Sequence, residues 1–533
     1  MSDKHKETSK TIKSLINNAK KGNILSMFQL YRNYSSGKYV ESKDESLAKK
    51  YIDNVACELS QARIKVKSIN LYEFRRFREL DITFDDNLTV IIGNNGVGKT
   101  SIVEALAKTF TWFNNNLGRR SNARPVTLSD INVNSDDFGE ITTTIELSQK
   151  CLFDTSLVKT LPGSVDSKSS EVSDIKLAGL MYRHLVDNQD IDIPLLAYYS
   201  VDRSNFTLNQ TVAEKAHGDD SINRFRALDN ALEGNGNLDS FSELYIELVN
   251  LAEGETSTEV KKLREQIRSY ESLIQDAYDN QEPPADDPVV KALQLKIEEL
   301  ATALKKNCSA KHQKQLDLVN RAIESIVPDV TDFEVDRSSG KVRIMVSNFG
   351  NRVNISQLSE GQKTLVALTG DLARRLVTLN PNSNNPLHGH GIVIIDEIEL
   401  HLHPKWQQTV LSKLREIFPK IQFIVTTHSP QILTHIANEN TIIGLKSDGE
   451  SILKYPVENT YGKNTDRIYE DNMKVSSRPK LVQDKLDEIF GIIEEKKLEE
   501  AKEKIELLRE VIGEDGQLTK ASTLIKRMEM IGR

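Results

Sequence analysis

Membrane spans, paired cysteines and a positive net charge are all missing from this sequence. No apolar run approaches the ~18 residues that a membrane helix needs. The N-terminus, MSDKHKETSKTIKSLI, is polar and lacks the apolar stretch of a secretory leader. Membrane and secreted readings are set aside, and a cytoplasmic protein is expected. The three cysteines, Cys57, Cys151 and Cys308, lie far apart with no CxxC pair. That argues against a disulfide framework and a zinc knuckle, and fits a reducing compartment. Lys and Arg total 70 against 78 Asp and Glu, a net charge of −8. The chain as a whole is therefore not a basic nucleic-acid binder, although net charge can hide a local basic face. Aromatic residues make up only 6% while hydrophobic residues reach 38%. The core must be largely aliphatic, which suits helices and coiled segments. At 533 residues, roughly 150 per domain predicts three or four units.

The pattern along the chain divides it into five parts. Residues 1–60 read as helical, with small and aromatic residues (Phe28, Leu30, Tyr31, Tyr34, then Ala48, Tyr51, Ala56) on either side of Gly37. This resembles a single tetratricopeptide-like repeat of the Sel type, which must pack on its own chain or on a partner. Residues 61–250 read as a first α/β lobe, with short strands at Ile64–Val66, Leu71–Phe74 and Leu80–Phe84 and a continuous apolar strand over Leu88–Ile92. Further strands are expected at Ile141–Leu147 and Leu195–Val201, and 148–190, rich in Ser, Asp and Lys, reads as loop or insertion. Residues 251–325 carry two apolar stripes in steps of three and four, Val260 to Ala277 and Val290 to Leu304, around Pro283-Pro284. They predict an antiparallel coiled-coil hairpin with arms of ~20 residues. Residues 326–460 return to strands and helices as a second lobe. Residues 461–533 are expected to form a helical hairpin whose stripe (Leu498, Ala501, Ile505, Leu508, Ile512) needs a partner surface.

Four motifs carry chemistry. Gly93-Asn94-Asn95-Gly96-Val97-Gly98-Lys99-Thr100 follows the apolar strand and opens a helix at Ser101, the context a phosphate-binding loop requires. Its glycines let backbone N–H groups curl around phosphates, Lys99 reaches toward the β- and γ-phosphates, and Thr100 is placed to ligate Mg²⁺. Ile392–Ile395 is a buried strand ending in Asp396-Glu397; Asp396 is the second Mg²⁺ residue and Glu397 the base that polarises the attacking water. Leu358-Ser359-Glu360-Gly361-Gln362 opens a helix. Read alone it is an ordinary capped helix; beside a phosphate loop it is a second anion site, surplus within one subunit. Ser359 of one chain, with Gly361 and Gln362, would then close on the nucleotide held by Lys99 of another. Finally Phe423–Thr427 leads into His428, poised for the γ-phosphate or the water.

In this order the motifs resemble the ATP-binding-cassette ATPases of the SMC, RecF and OLD branch. The resemblance implies an α/β P-loop ATPase head with a coiled-coil insertion, using ATP and Mg²⁺. The run Ile398-Glu399-Leu400-His401-Leu402-His403-Pro404 looks like the RecF and OLD type. The family's glutamine loop has no clear counterpart; Asp130 or Asn132 are the candidates for it. His401 and His403, with His388 and His390, offer a zinc-like pair spacing, but the family reading of a dimer-contact loop is preferred. Arg75, Arg76, Arg78, Arg119, Arg120, Arg124, Arg374 and Arg375 are either solvated faces or contacts to nucleotide or nucleic acid. About 100 residues follow His428 and show no aspartate pair on a strand, so no nuclease of its own is expected. The arrangement resembles the PtuA ATPases of Septu antiphage systems and their retron-associated relatives. That implies a homodimer or higher even homo-oligomer, a PtuB-like HNH nuclease as partner, and a retron reverse transcriptase with its msDNA as a further one. A RecF-like ATPase acting on DNA ends and an ATP-bound scaffold with little turnover are the alternatives.

Overall fold

The computed structural model describes residues 2–119, 122–165, 167–189, 191–204, 223–234, 236, 238–252, 269, 288–337, 342–437, 441–449, 451–473 and 478–531. Two compact units are separated at Tyr461 and Gly462.

The larger unit begins with α1 (Ser2–Lys20), α2 (Ile24–Ser36) and α3 (Glu45–Gln61). Asn23 and Asp44 cap α2 and α3 through their side-chain oxygens, and Gly37 ends α2 at φ 69°. Then come β1 (Lys65–Phe74), β2 (Phe77–Thr83), β3 (Leu88–Gly93), α4 (Lys99–Gly118), β4 (Phe138–Ser148), β5 (Cys151–Thr160), α5 (Ser173–Asn188) and β6 (Leu195–Tyr199). Where two strands are expected over Ile64–Phe74, the structure has the single strand β1. The segment read as loop holds β5 and α5. Its polar composition hides two regular patterns: alternating burial of Cys151, Phe153 and Thr155, and a helical stripe of Ile175, Ala178, Met181, Tyr182 and Leu185. The stripe is what the N-terminal helices lean on. Tyr31 Oη lies 2.7 Å from His184 Nε2, and Phe28 packs in the same ring cluster.

After α6 (Leu238–Ala252), the first expected coiled-coil arm and its proline turn lie outside the described residues. The second arm is α7 (Pro288–Ile326), 39 residues long rather than ~20, or about 58 Å at 1.5 Å per residue. It runs past the heptad stripe because residues 316–326 continue the helix against the body, burying Leu316, Val319, Ala322, Ile323 and Ile326. A small antiparallel sheet, β7 (Val330–Asp336), β8 (Arg343–Asn348) and β9 (Asn351–Asn354), leads to α8 (Glu360–Leu379), then β10 (Gly391–Ile395), α9 (Val410–Ile417), β11 (Ile421–Thr427), β12 (Thr441–Ser447) and β13 (Ile452–Pro456).

Two larger sheets organise the unit. One is antiparallel in the order β2-β1-β4-β5; the other is β13-β12-β3-β11-β10-β6, parallel except for β13. The strands β3, β11, β10 and β6 are buried along their whole length. This explains their unbroken apolar runs, and parallel pairing brings their C-terminal ends to one edge.

Helix α8 carries an unusual buried charge. Asp371 accepts from Arg374 (2.8 Å), Arg375 (2.6 Å) and the Tyr199 hydroxyl (2.8 Å). The two guanidinium groups hold its carboxyl well below the usual range against the opposing effect of burial. Arg374 and Arg375, candidate contacts to nucleic acid in the sequence, are therefore interior residues, and Arg120 lies outside the described residues.

The smaller unit is a three-helix bundle: α10 (Lys480–Glu494), α11 (Leu498–Ile512) and α12 (Gly516–Ile531). Leu486, Ile489 and Ile493 of α10 meet Ala501, Ile505 and Leu508 of α11 and Leu518, Ala521 and Ile525 of α12 in one core. The expected two-helix hairpin is thus corrected. The apolar stripe finds its cover within the unit, because α10 supplies the third face.

Two predictions follow from these interiors. Asp371→Asn leaves two buried guanidinium groups without a counter-charge and should cost about 3–5 kcal/mol. A loss of unfolding free energy under about 1 kcal/mol in urea titrations would contradict that account. His390 is fully buried, accepts from the Ile64 N–H at 3.1 Å and bonds the Asp192 backbone. Burial lowers its pKa to about 4. The folded state disfavours the proton, so stability is intact above about pH 6.5 and falls as pH drops toward 4, by about 2 kcal/mol between pH 7 and pH 5. His390→Gln should flatten that slope in urea titrations at the two pH values.

Candidate ATPase site

The site lies where β3, β11, β10 and β6 end. From β3 the chain enters the loop Gly93–Gly98 and turns into α4. Gly96 and Gly98 hold φ of 79° and 93°, a backbone region costly for residues with a Cβ. A Cβ at Gly98 would also stand 2.5 Å from Phe77 Cζ. Asn94 and Asn95 are exposed while Val97 is buried beneath the loop. Arg76 donates to the Gly96 carbonyl, and Arg75 reaches Ser101 Oγ at 3.4 Å.

Lys99 is 5% exposed, and its Nζ donates to the carbonyls of Gly93 (2.9 Å) and Asn94 (3.2 Å). Among the described residues it forms no ion pair. Burial lowers its pKa, with Glu397, Asp396 and Glu399 pulling it back up. A buried ammonium curled onto loop carbonyls, with no carboxylate in direct contact among the described residues, is suited to an anion such as the phosphates of a nucleotide.

Thr100 Oγ1 donates to Asp396 Oδ2 at 2.8 Å. Asp396, 1% exposed at the end of β10, accepts on its other oxygen from the Thr426 hydroxyl, and its N–H donates to Tyr199 O at 2.8 Å. The Thr100 and Asp396 oxygens fit Mg²⁺. Both are hard ligands, and adjacent ligands of an octahedron with 2.0–2.1 Å bonds lie about 2.9 Å apart.

Glu397 follows at φ 47°, a strained position for a non-glycine residue. Its N–H donates to Thr426 Oγ1 at 2.8 Å, and its Oε1 lies 3.9 Å from His428 Nε2. Burial and then Lys99 lower the His428 pKa, opposed by Asp396, so its ring favours the neutral form. Lys99, Thr100, Asp396, Glu397 and His428 thus converge.

Ser359, Gly361 and Gln362 do not join them within the chain. Ser359 caps α8, its hydroxyl accepting from the Gln362 N–H at 3.3 Å while the Gln362 side-chain Oε1 accepts from the Ser359 N–H at 3.2 Å. The Gln362 amide donates to Asn348 at 2.9 Å, so that side chain anchors the helix start to the small sheet. Gly361 lacks room for a Cβ, which would meet His401 O at 2.7 Å. Neither glutamine-loop candidate is free: Asp130 is taken up by Arg75 and Lys108, and Asn132 accepts from Asn134. His401 faces Glu360 at 3.4 Å, and the described residues hold no cluster of three or more metal-ligating side chains.

Three residues of this edge escaped the sequence reading. Thr426 sits inside a quoted motif but looks like a strand residue. Glu399 accepts from the His428 N–H, and burial raises its pKa. Arg203, 1% exposed, donates to the carbonyls of Asp396 and Glu397. The one available signal was its place four residues beyond β6, on the edge where parallel strands bind ligands.

The AAA ATPase domain family matches residues 64–433. The "Retron Vc95 probable ATPase" of Vibrio cholerae serotype O1 biovar El Tor is 34% identical over 471 residues, covering 85% of this chain and 88% of that protein. The "Retron Ec83 probable ATPase" of Escherichia coli is 30% identical over 500 residues, covering 88% and 87%. The Septu protein PtuA of Bacillus mycoides (strain KBAB4) is 34% identical over 130 residues, 24% of this chain and 18% of that protein. The parallel sheet, the phosphate loop after β3 and Asp396 at the end of β10 are the parts from which a P-loop ATPase site is built. The chain belongs to the AAA ATPase-domain family that includes the probable ATPases of retrons Vc95 and Ec83.

Proposed function

We propose that the chain is the ATP-binding and ATP-hydrolysing regulatory subunit of an antiphage complex of the retron and Septu type. The observation that carries the ATPase part is the convergence of an unpaired buried Lys99, the Thr100–Asp396 oxygen pair, and Glu397 beside His428. In this reading the loop amides and Lys99 hold the β- and γ-phosphates, and Thr100 and Asp396 hold Mg²⁺, which neutralises phosphate charge when bound. Glu397 accepts the proton of the attacking water. Neutral His428 donates a hydrogen bond toward the γ-phosphate, with its main chain held by Glu399.

The working form is a homodimer or a higher even oligomer. Ser359 stands outside its own chain's phosphate group, and an exposed helix N-terminus is suited to the nucleotide of a second copy. Nucleotide state sets the pairing of the copies, and that geometry holds or frees a nuclease supplied in trans, of the PtuB-like HNH class. A reverse transcriptase with its msDNA is the companion that the retron relatives suggest. The three-helix unit, with Leu481, Leu507, Val511 and Met530 exposed, is the proposed contact for such partners.

Glu397→Gln should lower ATP turnover by on the order of 10²-fold while keeping Mg²⁺–ATP bound. Turnover equal to wild type would remove Glu397 as the base. Composite pockets are tested by mixing Lys99→Ala and Ser359→Arg proteins, each inactive alone. Random pairing leaves one intact pocket in half of the dimers, so activity should recover to about a quarter of wild type. A mixture as inactive as its components would reject sharing between copies.

A further inference from the structure

Arg203 is a buried charge at the site for which the reaction above has no use. It closes the short turn Val201–Ser204 after β6. Among the described residues it forms no ion pair. Its guanidinium spends its donors on main-chain carbonyls instead: Nη1 on Ser200 (2.8 Å) and Asp396, and Nη2 on Glu397. Those last two carbonyls belong to the consecutive residues assigned to Mg²⁺ and to the water.

The second of them is under strain. Glu397 occupies the left-handed region at φ 47°, which side chains with a Cβ avoid unless neighbours impose it. The neighbours are identifiable. Thr426 Oγ1 accepts the Glu397 N–H at 2.8 Å, Arg203 holds the Glu397 carbonyl, and the Leu400 N–H shares that carbonyl at 3.0 Å. Without these restraints the peptide after Asp396 is free to relax toward an ordinary extended conformation, turning the Glu397 side chain away from His428.

We infer that Arg203 is a positioning residue of the ATPase site, its guanidinium fork clamping the Asp396 and Glu397 carbonyls so that the strained Glu397 keeps its carboxylate beside His428. The inference rests on the ATPase reading. A planar fork reaches two successive carbonyls at once, whereas a lysine ammonium offers a single centre. Burial lowers the Arg203 pKa only to about 10, so the clamp stays charged at neutral pH.

The test compares wild type, Arg203→Lys, Glu397→Gln and the double variant, measuring ATP turnover and ATP affinity with and without Mg²⁺. Arg203→Lys should lower kcat by on the order of 10²-fold, while Mg²⁺-free ATP affinity stays within about 2-fold and the tightening by Mg²⁺ shrinks. In the Glu397→Gln background the same change should cost less than about 3-fold more, because both substitutions disable one device. Wild-type kcat in Arg203→Lys, or fully additive losses in the double variant, would overturn the clamp. A wild type that binds Mg²⁺–ATP without turnover would remove the ATPase reading instead. The clamp would then be decided by the Mg²⁺ effect, and full retention of that effect in Arg203→Lys would overturn it. If the lysine variant does not fold, the isosteric Thr426→Val removes the opposite restraint and should give the same split between kcat and Mg²⁺-free binding. Unchanged kcat there would overturn the clamp equally.

Discussion

Asp396 joins three parallel strands through bonds that leave neither of its oxygens idle. One oxygen accepts from Thr100 at the start of α4, the other from Thr426 on β11, and its N–H reaches Tyr199 at the end of β6. A carboxylate this buried tolerates its charge only with such donors in place. The consequence is geometric. The phosphate loop, the Asp396–Glu397 corner and the His428 strand cannot shift independently, because each is tied to the same group. Mg²⁺ would replace the Thr100–Asp396 hydrogen bond with a shared metal edge of similar length, so the site needs little reorganisation to accept it.

Tyr199 extends that rigidity away from the nucleotide. Its backbone oxygen serves Asp396, while its hydroxyl donates to Asp371 on α8. Asp371 in turn binds Arg374 and Arg375, and Arg375 reaches the carbonyls of Ala227 and Asp229. The helix that starts at Ser359 therefore shares one residue with the Asp396 corner. An ordinary aliphatic interior would stabilise the same contact without fixing its register. Directional bonds among buried charges hold α8 at one rotation and translation, which matters for a helix whose start is proposed to meet another copy.

How much of this the sequence discloses follows from how local each feature is. The phosphate loop, the apolar strand before Asp396 and the strand before His428 are continuous segments whose chemistry is complete within ten residues, and the structure gathers them at one sheet edge. The helix α5 is regular too, but its stripe is diluted by Ser, Asp and Lys, so composition overrides period. Arg203 lies beyond local reading because its partners are 193 and 194 residues away and are main-chain atoms, which carry no residue signature. The closing of the C-terminal unit into a three-helix core is hidden for a related reason. A stripe such as Leu498 to Ile512 states that cover is needed, not whether the chain itself provides it. The strain at Glu397 has no signature at all, since its type predicts nothing about φ.

In the proposed pairing of two copies, Ser359 has a partner within its own chain before any nucleotide arrives. Within the chain its hydroxyl and N–H are engaged by Gln362 in a reciprocal cap, and the Gln362 amide is engaged by Asn348. Such a cap satisfies the helix start in the absence of phosphate, so α8 is stable without a partner. A phosphate approaching from a second copy would compete for the hydroxyl with an internal acceptor of modest strength, and the charge of the anion would favour the exchange. The proposed closure would then be reversible, because the helix start has a satisfied state on either side of it.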